Sequence, residues 1–110
     1  MCGIFGFIAS PGADCGDAQF ESALEHLFRL SEPRGQEASG LVIAGNGRAQ
    51  VFKRGSAPSE MIKSPDYKKF LKGRLTGASA VIGHCRLVTA GTETMTGNNP
   101  PIITEHSVGV

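Results

Sequence analysis

Residues 38–54 read ASGLVIAGNGRAQVFKR, and this stretch decides the fold class. LVIA is apolar and rich in β-branched side chains, which suit a buried strand. Asn46-Gly47 follows, a dipeptide whose residues both tolerate positive φ and so favour a tight hairpin turn. RAQVFKR then reads as the returning strand. A hairpin joins antiparallel neighbours, so a wholly parallel, doubly wound sheet is disfavoured.

The flanks fit around it. CGIFGFIA (2–9) reads as a buried strand, and SPGADCGD after it as a loop. Asp17 can open a helix whose one face carries Phe20, Ala23, Leu24, Leu27 and Phe28. Pro33 stops it, because the residue before a proline is pushed out of the helical region. Ser64-Pro65-Asp66 starts a second, shorter helix with Tyr67, Phe70 and Leu71 on one side, ended by Gly73. SAVIGHCRLV (79–88) reads as another buried strand. TAGTETMTGNNPPI is turn-rich, and HSVGV begins a last strand-like run. The order β, α, β-hairpin, α, β, loop, β gives an α+β class, with helices on one face of a mixed or antiparallel sheet. The final run stops inside apolar sequence, which leads to the expectation that residues 1–110 are the N-terminal part of a longer domain.

Composition narrows the function classes. The chain has 110 residues, 40% hydrophobic and 19% charged, an ordinary globular balance. Its net charge of +1 creates no long-range field, so neither nucleic acid nor an anionic membrane is an expected partner. No apolar run approaches the roughly 18 residues of a membrane span, and MCGIFGFIAS lacks the basic start of a signal peptide. Three cysteines without regular spacing make neither a disulfide framework nor a zinc site. Reduced thiols and a cytoplasmic location are expected, with no cofactor and no metal. The 15 glycines, about twice the average share, imply tight turns and close backbone approaches.

Cys2 admits two readings. As a small apolar residue it would be inert in its strand. Exposed by removal of Met1, its α-amine, with a pKa of about 7.7–8.0, could serve as base for its own thiol. At any other position that nitrogen is an amide and has no basicity. Arg86 ends the 79–88 strand close to Thr89. Its planar fork fits a carboxylate, or else it is an ordinary surface arginine. His84 shares a strand face with Arg86, whereas Cys85 points the other way, so His84 and Cys85 do not form a dyad. Cys15, His26 and His106 have no functional spacing. GNGRAQ lacks the setting of a dinucleotide loop, and KGRLTG lacks the P-loop spacing.

Taken in order, MCGIFG, RGQEASGL, IGHCRLVTAG and NNPPI resemble the class II glutamine amidotransferases, a branch of the N-terminal-nucleophile hydrolases that includes glucosamine-6-phosphate synthase and amidophosphoribosyltransferase. The resemblance implies an αββα sandwich with mainly antiparallel sheets, here an incomplete N-terminal portion. It implies Cys2 as catalytic nucleophile, Arg86 and Thr89 as contacts to L-glutamine, and Arg34, Gly35 and Asn98 as supporting residues, with Pro101 beside the last. The implied reaction hydrolyses the glutamine side-chain amide through a Cys2 thioester. Ammonia then passes to an acceptor domain or subunit, with a sugar or sugar phosphate as acceptor, or phosphoribosylamine synthesis as the alternative. The pattern's oxyanion Asn-Gly pair falls just after the strand that begins as HSVGV, beyond residue 110, so the isolated chain is expected to be inactive. A non-catalytic glutamine- or partner-binding module and a redox-sensing thiol protein remain the other readings.

Overall fold

The computed structural model describes residues 2–10 and 16–87, together with the backbone of 102–103 and 108–109. The element order is β1 (Gly3–Ile8), α1 (Asp17–Ser31), a 3-10 turn (Glu32–Arg34), β2 (Ala38–Gly45), β3 (Arg48–Arg54), α2 (Pro58–Met61), α3 (Pro65–Leu71), β4 (Ala78–Arg86), β5 (Ile102–Ile103) and β6 (Val108–Gly109). β1 to β4 form one antiparallel sheet in the order β1-β4-β2-β3, and β5 pairs with β6. The expected hairpin forms over its expected residues, from Ser39 opposite Arg54 to Gly45 opposite Arg48. Asn46 and Gly47 turn it with φ of 54° and 73°, the double positive φ of a type I′ turn.

Opposed residues on neighbouring strands share a face. The register therefore sets Phe5, Phe7, Val81, Gly83, Cys85, Leu41, Ile43 and Phe52 on one side. Against that side pack Leu24 and Phe28 of α1, Met61 and Ile62 at α2, and Tyr67 and Leu71 of α3. A chain of aromatic contacts runs through the layer: Phe5 to Phe28 at 4.7 Å, Phe28 to Tyr67 at 6.3 Å, Tyr67 to Phe52 at 6.0 Å. Gly83 is required in the middle of it, because a Cβ there would enter the Phe5 ring.

The α+β class and the antiparallel pairing hold. The finer expectation, a four-layered αββα sandwich, is not what the described residues display: they form one sheet with helices on one side, beside the short β5–β6 pair. α1 ends at Ser31, ahead of Pro33 as expected, but its N-cap is Gly16 rather than Asp17. The Gln19 side chain accepts from the Gly16 N–H there at 3.3 Å. α2 was not expected from the sequence; a four-residue helix is too short to show periodicity. Among the described residues no helix is long and apolar enough to cross a membrane.

Candidate functional site

The structure gathers part of the sequence-derived site at one end of β4. The register that pairs Gly3 with Cys85 brings the start of β1 beside Arg86 and Leu87. The Cys2 thiol is half-buried and lies 3.7 Å from the Leu87 carbonyl oxygen, toward which it donates. The 3-10 turn closes over the same end. Gly35 packs directly on the Cys85–Arg86 backbone, with no room for a side chain. A Cβ at Gly3 would come within 3.3 Å of the Arg34 Cβ. Cys2, Arg34, Gly35 and Arg86 are therefore neighbours. Thr89, Asn98 and Pro101 lie outside the described residues, as does Cys15.

Arg86 is buried, opposite Ala38 of β2, and its carbonyl accepts from the Glu37 N–H at 3.2 Å. His84 is buried on the same face. Its Nδ1 has no hydrogen-bond partner among the described residues. Burial lowers its pKa, and the neighbouring Arg86 cation lowers it further. Cys85 points into the core as expected, and burial pushes its thiol up to about 12, so it is not a nucleophile at neutral pH. No group of three or more His, Cys, Asp or Glu among the described residues could hold a metal ion.

Two features were missed by the sequence reading. The face of the sheet turned away from the helices carries Ile4, Ile8, Ala80, Ile82 and Val42. On its β1 side it is open: Ile4 is 59% and Ile8 85% exposed. An apolar recess of about 520 Å³ lies there, lined by residues of β1 and β4. β1 is also an edge strand. The Ala9 N–H donates to the Ser79 carbonyl at 2.9 Å, which fixes the alternation. Phe7, Phe5 and Gly3 turn their backbone groups toward β4, and Ile4, Gly6 and Ile8 turn theirs outward. The alternation of β1 could have revealed the face, but not that Ile4 and Ile8 stay exposed on it.

No family model and no curated protein matches the sequence. A chain of a solved structure, the complex of the β-clamp processivity factor and the little finger domain of PolIV, is similar over 100% of both chains, with a TM-score of 0.57 and 12% identity. This likeness gives the fold: a small α+β domain with a four-stranded antiparallel sheet and its helices. It also corrects the identification made from the motifs. Assignment to the class II glutamine amidotransferases is overturned, since no such family model matches and the similar chain comes from a clamp–polymerase complex. With it go enzymatic glutamine hydrolysis through a Cys2 thioester, ammonia transfer to a sugar or sugar phosphate, and the amidophosphoribosyltransferase alternative. L-Glutamine and an acceptor domain are withdrawn as partners, and so is the exclusion of nucleic acid, which rested on net charge, scattered basic residues and few aromatics. The physical reason is visible in the motif residues. Gly35 sits where neighbouring backbone leaves no space and Gly3 where Ser31 and Arg34 leave little, Ala38 is buried against β4, and these packing demands account for the small residues without catalysis.

Proposed function

We propose that the chain is a protein-docking module whose partner contributes an extended apolar segment along the β1 edge. The observation that carries this reading is a conjunction along β1: Ile4, Gly6 and Ile8 turn their backbone groups outward, and Ile4 and Ile8 also expose apolar side chains. An edge strand is ordinarily blunted by lysine, proline or a bulge, and GIFGFI has no charge and no proline. Strand addition satisfies the backbone groups, and a further layer over Ile4, Ile8 and Ile82 removes apolar surface from water. The similar solved chain comes from a protein–protein complex, which supports association as the role of such a fold. The free thiols of Cys2 and Cys85 support a reducing compartment such as the cytoplasm.

Sedimentation over a range of concentrations tests the reading. Without its partner, the wild-type chain is expected to self-associate through the uncovered edge. Ile4→Lys/Ile8→Lys is expected to remain monomeric with an unchanged melting temperature, since both positions are exposed. A wild-type chain that stays monomeric at every concentration, or a double variant that associates equally well, overturns it.

A further inference from the structure

At the opposite edge of the sheet, on its helix-covered side, lies a cavity of about 580 Å³. Its polar lining includes Asn46, Arg48, Gln50, Lys72, Arg74 and Thr76, and among the described residues no acidic one lines it. We propose that this cleft binds a small organic phosphate. The proposal is independent of docking at β1, because it uses the other edge strand.

The geometry follows from two elements. Arg48 and Gln50 alternate along β3 and so share a face, opposite Gly45 and Ile43 of β2. Lys72 and Arg74 come from the segment that closes α3. The Arg74 N–H donates to the Leu71 carbonyl at 3.0 Å, and its Nη1 donates to the Phe70 carbonyl at 2.6 Å. Its guanidinium lies 4.7 Å from the Phe70 ring centre. Arg74 is thus held in place, and its Nε is buried with no hydrogen-bond partner among the described residues. Three cations face one space. The acid in contact with the lining is Asp17 at the rim, which accepts the Thr76 hydroxyl at 2.8 Å.

Like charges gathered without matching acids repel one another, and an anion relieves that repulsion. Arginine forks and a lysine ammonium are the donors that phosphate oxygens take. The cavity falls within the roughly 300–1,000 Å³ of small-molecule sites. Ile43 and Ala78 give its lining an apolar part, against which the body of an ester can rest.

The test is amide-resolved NMR titration of the whole chain with p-nitrophenyl phosphate at fixed ionic strength, with p-nitrophenol as the uncharged control. Saturable shifts are expected at residues 46–50 and 72–76, with none from the control. Arg48→Gln and Lys72→Gln, both at exposed residues, are each expected to weaken binding about tenfold with unchanged melting temperature. Lys68→Gln, outside the cleft, should bind as wild type does. Absence of saturation, equal shifts with p-nitrophenol, equal loss in Lys68→Gln, or binding of duplex oligonucleotide alone would each overturn the proposal.

Discussion

Individual residues decide stability through space and charge. Gly83 has the Phe5 ring where a side chain would be. Gly83→Ala is therefore expected to cost about 1–3 kcal/mol by overpacking, read from urea unfolding. His84 supplies a pH dependence with a definite sign. Burial and Arg86 hold its folded pKa below the ordinary 6.5, so the unfolded chain binds its proton first as pH falls. The contribution is present above pH 6.5 and is lost progressively as pH drops below it toward the folded value. Unfolding at a series of pH values should show this decline, and His84→Gln should lessen it. Cys2 has a half-buried thiol beside the Leu87 carbonyl. Incubation with a glutamine-like diazoketone is expected to leave the protein mass unchanged. A covalent adduct confined to Cys2 would reinstate glutamine chemistry.

Among the elements, α3 is the clearest case of local sequence setting local structure. The Ser64 hydroxyl accepts from the Tyr67 N–H at 3.2 Å and donates to the Met61 carbonyl at 2.7 Å, joining α2 to α3. Ser64→Ala removes both bonds and should cost about 1–2 kcal/mol, measured by thermal or urea unfolding. α1 relies more on packing than on its cap. Leu24 and Phe28 are fully buried, and no N-cap side chain bonds its first turn. β2 is buried on both faces from Ala38 to Ile43, which is why Leu41, Val42 and Ile43 run apolar without alternation. β1 alternates cleanly, yet its outward residues are isoleucines rather than polar side chains. That mismatch between pattern and chemistry is what the docking proposal rests on.

At the scale of the molecule, one face of the sheet is filled by helices and the other is open beside β1. Burying Ile4 and Ile8 is worth about 1.5–3 kcal/mol for each side chain, a drive toward association that the sedimentation experiment reads directly. The phosphate cleft also exists only at this scale, since β3 and the close of α3 meet through the fold.

The hairpin of residues 38–54, the stop of α1 before Pro33 and the opening of α3 at Ser64 were determined by the sequence alone, because turn chemistry, proline geometry and capping act over a few residues. The opposite orientations of His84 and Cys85 likewise follow from the period of a strand. Tertiary structure alone decided which sheet face the helices cover, that β1 forms an edge, and that Arg48, Lys72 and Arg74 line one cavity. It also decided how the glycine-rich motifs are used. In sequence, Gly3 and Gly35 fit a catalytic pattern; in the fold, Gly35 stands where backbone meets backbone and Gly3 is packed tightly against Ser31 and Arg34. Short motifs record that a small residue is needed, and only the packing around it records why.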